Sequence, residues 1–149
     1  MQPLVKTFKR TYPSTYASVT RARHDVVGFS AGCGVSPSVT DDLALAVGEA
    51  CNNAAEHGHV AGGAFTIQCT CDDWQLLVDV CDEGTGFMLA GKGESMDAEQ
   101  RGVRGLGIFL MRALMDNVEY EIRTTGTRVR LTKILEPAKA IPGSRILCR

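Results

Sequence analysis

FTIQCTCDDWQLLVDV, residues 65–80, decides the fold class. Phe65, Ile67, Cys69 and Cys71 alternate with polar residues, Asp72-Asp73 interrupts, and Trp74, Leu76, Val78 and Val80 alternate again. A period of two broken by a polar pair reads as an antiparallel hairpin. Upstream the period lengthens: Leu43, Val47, Ala50 and Ala54 recur at helical spacing. Ser36-Pro37 supplies an N-cap and a first-turn proline, and Gly58 follows the stripe as a stop. An earlier helix is expected from Ser14, carrying Tyr16, Val19, Val26 and Phe29 and halted at Gly32 and Gly34; a strand over Val5–Arg10 precedes it. Downstream, Leu106–Met115 reads as a helix, and Val118, Tyr120 and Ile122, then Val129 and Leu131 beyond a Gly126 turn, as two closing strands. Hairpins without βαβ crossovers predict an α+β two-layer sandwich: a mixed, mostly antiparallel sheet with helices on one face. The other face is left to solvent or to association.

The chain has 149 residues with 44% hydrophobic and 22% charged, an ordinary globular balance that excludes wholesale disorder. Its 16 basic and 17 acidic residues leave a net charge of -1, which argues against non-specific nucleic-acid binding. No apolar run approaches a membrane span, and MQPLVKTFKR lacks the apolar segment of a signal peptide. A cytoplasmic protein with no direct nucleic-acid or membrane partner is therefore expected. One domain over residues 1–135 accounts for the patterned sequence, and the proline-bearing tail 136–149 is expected to be loosely held. The cysteines at 33, 51, 69, 71, 81 and 148 include no CxxC pair, so reduced thiols packed as small hydrophobes are expected rather than a disulfide framework or a metal site.

Three clusters carry chemistry. Glu49, Asn53 and Glu56 fall at i, i+4 and i+7 and share a helix face distinct from the apolar stripe. A carboxamide oxygen there suits a hard cation such as Mg²⁺, and the carboxylate one turn away can accept a proton. Asp82-Glu83-Gly84-Thr85-Gly86-Phe87 follows the hairpin; glycines let backbone approach a ligand, and a carboxylate can accept from an exocyclic amine. Arg101-Gly102-Val103-Arg104-Gly105-Leu106-Gly107 enters a helix, where exposed N–H groups and arginines attract phosphate. Read alone, the first is better taken as a solvated helix face and the second as an ordinary turn, and the third is a weak signal.

Together and in this order, the clusters resemble the GHKL superfamily of ATPases. Within it the chain is most similar to the bacterial anti-sigma-factor serine/threonine kinases. LALAVGEACNNAAEHG (Leu43–Gly58) resembles their N box, VCDEGTGF (Val80–Phe87) and RGLGIFLMRALMD (Arg104–Asp116) their glycine boxes, and GTRVRLTK (Gly126–Lys133) their closing strand. The resemblance implies ATP and Mg²⁺ as cofactors, with Glu49 as general base and Asn53 as the Mg²⁺ ligand. It places Asp82, Gly84, Gly86 and Thr127 at adenine, and Arg104, Gly105, Leu106 and Gly107 at the phosphates, under a lid over Phe87–Gly102. His57 matches a histidine common in the family and is given no chemistry. The activity implied is phosphorylation of a small anti-sigma-factor antagonist on serine or threonine, alternating with sequestration of a sigma factor, by a homodimer. The alternative is a non-catalytic, ATP-gated module that works by sequestration alone. A histidine-kinase catalytic domain or a gyrase-like ATPase fits less well, because no dimerisation helix pair or transducer domain is expected in this length.

Overall fold

A computed structural model describes residues 4–57, 63–82 and 107–135. Strand β1 (Lys6–Pro13) is followed by helices α1 (Tyr16–Gly32) and α2 (Pro37–His57) and by the hairpin β2 (Ala64–Cys71) and β3 (Gln75–Asp82). Helical backbone over 107–114, here α3, precedes β4 (Asn117–Arg123) and β5 (Gly126–Ile134). The sheet order is β1-β2-β3-β5-β4. Every pairing is antiparallel, the pure case of the mostly antiparallel sheet expected.

The hairpin forms as its alternation dictates. Phe65, Ile67, Cys69 and Cys71 of β2 and Leu76, Val78 and Val80 of β3 are all buried, and they share the sheet face that carries the helices. Asp72 closes the turn by accepting from the Trp74 and Gln75 amides at 2.7 and 2.9 Å. The side chain of Trp74, expected on the apolar register, is exposed at the turn. On α2, Leu43, Val47, Ala50 and Ala54 are buried as the stripe predicts, and Ser36 accepts from the Val39 amide at 3.4 Å as N-cap. Each large aliphatic side chain buried this way contributes on the order of 1.5–3 kcal/mol.

Helix α1 buries Val19 and Val26 and packs Phe29 against the core as expected, and departs only at Tyr16. Its cap is Thr15, whose side chain accepts from the Ser18 amide, and its buried line is Ser18, Val19, Ala22, Val26 and Ser30. Tyr16, in the first turn, is 67% exposed. Small residues along that line let α1 lie close to α2. At its end Gly34 takes φ +80°, the Gly34 amide donates to Ala31 O and the Val35 amide to Ser30 O. That is a Schellman stop, and it needs glycine because a side chain is strained at positive φ.

Strand β1 runs past the expected Arg10 to Pro13. Tyr12 makes the extension: its ring stacks on Phe65 with centroids 5.4 Å apart, and its hydroxyl donates to Asp25 of α1 at 2.7 Å. Burial and that bond push the Tyr12 hydroxyl pKa up. Strand β4 lies at the sheet edge, so Tyr120 and Ile122 remain exposed although their spacing suggested burial.

The helix-free face is polar. Asp79, 9% exposed, receives Arg130 Nε and Nη2 at 2.7 and 2.8 Å, and Arg128 bridges to Glu121 at 2.8 Å. Among the described residues no helix is long and apolar enough to cross a membrane. The tail 136–149 lies outside the described residues.

Candidate nucleotide site

Two pairs of expected site residues meet. Asp82 ends β3 and is the register partner of Thr127 on β5. Both are buried, at 7% and 6% exposure, and the Thr127 amide donates to Asp82 Oδ1 at 3.3 Å. A buried carboxylate at a strand end can accept several hydrogen bonds at once. Beside it, Thr127 Oγ1 is buried without a hydrogen-bond partner. An orphaned buried hydroxyl costs about 1–3 kcal/mol, and a ligand that pairs with it recovers that cost.

The second pair is Glu49 and Gly107. A Cβ built on Gly107 would stand 2.8 Å from Glu49 Oε1, closer than real Cβ contacts allow. Glycine at 107 therefore admits the Glu49 carboxylate to the backbone of α3. Helix α3 is held by buried Met111 and Met115, and Lys133 Nζ caps its far end by donating to Leu114 O at 2.8 Å. Asn53 stands one turn beyond Glu49 on α2 and is half-buried, whereas Glu56 is exposed.

Gly84, Gly86, Arg104, Gly105, Leu106 and the lid over Phe87–Gly102 lie outside the described residues, as does the side chain of His57. Sequence reasoning missed Cys81, Arg123, Thr125 and Gly126, which with Asp82 and Thr127 line a recess of about 440 Å³. That volume is within the range of small-molecule sites. The signal available was the Thr124-Thr125 turn before Gly126; the strand register that seats it beside Cys81 was not readable. Burial raises the Cys81 thiol pKa, and Arg123 is paired with Glu121 at 3.0 Å.

A one-layer antiparallel sheet under two long helices, with a carboxylate of α2 reaching Gly107 of α3 and a buried Asp/Thr pair at the strand ends, matches the α+β architecture of the GHKL fold. Residues 12–133 match the histidine kinase-like ATPase domain, and the chain belongs to that family. It is 30% identical over 128 residues to the serine-protein kinase RsbW of Bacillus licheniformis, covering 80% of this chain and 79% of the relative. It is 30% identical over 132 residues to RsbW of Listeria monocytogenes, covering 83% of each. RsbW of Halalkalibacterium halodurans is 28% identical over 138 residues, covering 88% of this chain and 85% of the relative.

Two solved structures share the fold. A crystal structure of the RsbU and RsbW domains of a Mycobacterium tuberculosis protein superposes with TM-score 0.68 at 20% identity, covering 91% of this chain. This chain spans 34% of that longer one. A chain of the SiaB-SiaC complex from Pseudomonas aeruginosa gives TM-score 0.57 at 14% identity, covering 86% of this chain and 89% of that one.

Proposed function

We propose that the chain is an anti-sigma-factor serine/threonine kinase. It would phosphorylate a small antagonist protein and, in alternation, sequester a sigma factor, acting as a cytoplasmic homodimer with residues 1–135 as the kinase domain and 136–149 as an appended tail. Its relatives named serine-protein kinase support the chemistry class. The observation that carries the reading is the approach of Glu49 Oε1 to Gly107, which joins the carboxylate of one motif to the glycine of another 58 residues away.

The residues present fit Mg-ATP: an orphaned Thr127 hydroxyl beside a buried carboxylate, a glycine cradle that a Cβ would fill, and a half-buried carboxamide one turn from a carboxylate. When bound, Mg-ATP supplies the phosphoryl group and the neutralising cation, and the protein contributes positioning and electrostatics. Asp82 would accept from the adenine amine and Thr127 would donate its hydroxyl beside it, with Gly84 and Gly86 assigned to the nucleotide as well. Asn53 offers its carboxamide oxygen to Mg²⁺. Arg104, Gly105, Leu106 and Gly107 would hold the phosphates, through charge and backbone N–H groups. Glu49 accepts the proton of the attacking hydroxyl.

The test is Glu49→Gln. Calorimetry should show magnesium-dependent ATP uptake retained, while transfer from radiolabelled ATP to protein in a lysate of the native host should be lost. Undiminished labelling would remove Glu49 from the mechanism. Partner capture without any phosphoprotein, from wild type as well, would instead favour the sequestering module.

A further inference from the structure

The nucleotide end of the sheet uses none of the buried thiols, and a cluster of them gathers at the opposite end. Cys71 closes β2 beside Leu76, whereas Asp82 pairs with Phe65 at the other end of the same ladder. Cys71 is also the register partner of Lys6 on β1. The Lys6 ammonium donates to the Gly32 carbonyl at 2.8 Å, and the next residue is Cys33, the C-cap of α1. Cys33 thus packs on the core at the Cys71 end of β2, where the Cys71 thiol donates to Asp72 O at 3.6 Å. Both are free thiols, and among the described residues no group of three or more side chains could hold a metal ion.

The two differ in access. Cys33 is half-buried, whereas Cys71 is 4% exposed. Burial pushes the Cys71 thiol up to about 12, so its proton has to leave in the step that joins the two sulfurs. Cys51 and Cys69 are fully buried.

We propose that Cys33 and Cys71 form an oxidation site: a dithiol that closes to an intramolecular disulfide in response to a hydroperoxide. The Cys33 sulfur attacks one peroxide oxygen; the S–O bond forms, the O–O bond breaks, and with hydrogen peroxide the leaving oxygen takes the Cys33 thiol proton and departs as water. The Cys71 sulfur then attacks the Cys33 sulfenic acid. The S–S bond forms, the S–O bond breaks, and hydroxide leaves as a second water with the Cys71 proton. Two thiols lose two electrons and one peroxide becomes two waters. The product ties the C-terminus of α1 to the β2–β3 hairpin.

The full chain is exposed to dilute hydrogen peroxide, free thiols are blocked with N-ethylmaleimide, and non-reduced peptides are read by mass spectrometry. The expected result is a Cys33–Cys71 linked peptide lighter by two hydrogens and restored by dithiothreitol. Cys33→Ser should abolish it, while Cys81→Ser and Cys148→Ser should leave it intact. The thermal midpoint of the oxidised chain should rise by on the order of 5–10 °C. Mg-ATP uptake should change less than about twofold, because the link is made at the far end of the sheet; this readout keeps the proposal separate from the kinase assignment. Cys33 found over-oxidised or alkylated with Cys71 unlinked, or either thiol joined to Cys148 instead, would overturn the proposal. Should Cys71→Ser fail to fold, the wild-type map and Cys33→Ser, changed at a half-buried position, decide between these results.

Discussion

Gly107→Ala tests the junction between the two helices more cleanly than removal of Glu49 itself, because it keeps the carboxylate and displaces it. The added Cβ would lie 2.8 Å from Glu49 Oε1, and ordinary contact begins at 3.4 Å, so the carboxylate must retreat by about 0.6 Å. The fold should tolerate this. Glu49 is half-buried and meets the Cβ with the flexible end of its side chain. Alanine also gains up to about 1 kcal/mol over glycine in a helix, which offsets the displacement. Stability is therefore expected to stay within about 1 kcal/mol of wild type. Chemistry is less forgiving: a catalytic group misplaced by roughly 1 Å can lose about 100-fold, and 0.6 Å corresponds to a loss on the order of 10- to 100-fold, or about 1.4–2.7 kcal/mol. Single-turnover transfer from radiolabelled ATP, to the protein that the wild-type chain labels in host lysate, measures the rate. Calorimetry and thermal unfolding give binding and fold. Wild-type transfer by a folded, ATP-binding variant would refute the argument that Gly107 sets the position of a catalytic Glu49. A rate loss matched by an equal loss of ATP affinity would refute it too, since it would mean that only ground-state binding had changed.

Thr127→Val replaces an unpartnered buried hydroxyl with a methyl; thermal unfolding should show stability equal or higher by up to about 1 kcal/mol, while ATP affinity by calorimetry falls about tenfold. Asp79→Asn should cost about 1–2 kcal/mol in urea unfolding, because it removes the charge from the two bonds to Arg130 at 2.7 and 2.8 Å. The folded state should weaken in alkali. Burial holds the Cys51 and Cys69 thiols up to about 12 against an ordinary 9.0, so the fold keeps protons that the unfolded chain releases. Their contribution is complete below about pH 9 and is lost as pH rises toward 12, by about 1.4 kcal/mol per pH unit for each thiol, and Cys51→Ala should flatten the urea-midpoint slope by one such share. Thr15→Ala should cost about 1 kcal/mol by removing the cap at the Ser18 amide, read as a lower thermal midpoint.

Two local periodicities were read correctly. The α2 stripe and the β2–β3 alternation are local periodicities, and each residue they named in the two helix-facing rows from Leu43 to Val80, the turn residue Trp74 excepted, is buried. What needed a partner distant in sequence was not readable. Asp82 and Thr127 are 45 residues apart, and their pairing depends on the β3–β5 register. Tyr12 looked like the residue beyond a strand end, and only Phe65 and Asp25 make it part of β1. Tyr120 and Ile122 alternate as core residues do, but the pattern cannot say that their strand is an edge. Gly107 was singled out for phosphate, whereas its steric relation to Glu49 belongs to the packing of α3 on α2.

The register that seats Asp82 opposite Thr127 is secured from the other side of the sheet. Asp79 faces Arg130 across the same ladder, three positions along, and their side chains meet on the face without helices. On the helix face, Val78 against Leu131 and Val80 against Val129 bury apolar pairs at matching positions. A slip of one residue would turn the β5 arginines toward the core and Thr127 toward the open face, stranding buried charge and removing the hydroxyl from Asp82. Apolar pairs alone discriminate weakly between a slip of two and the native register, since valine and leucine rows fit one another at either setting. The bidentate Asp79–Arg130 pair discriminates against one of the two slips, because a shift that places Asp79 opposite Thr132 loses its arginine, whereas the opposite shift brings Arg128 there. An ion pair on the open face of the sheet thus acts on the adenine end of the site through geometry, without touching it.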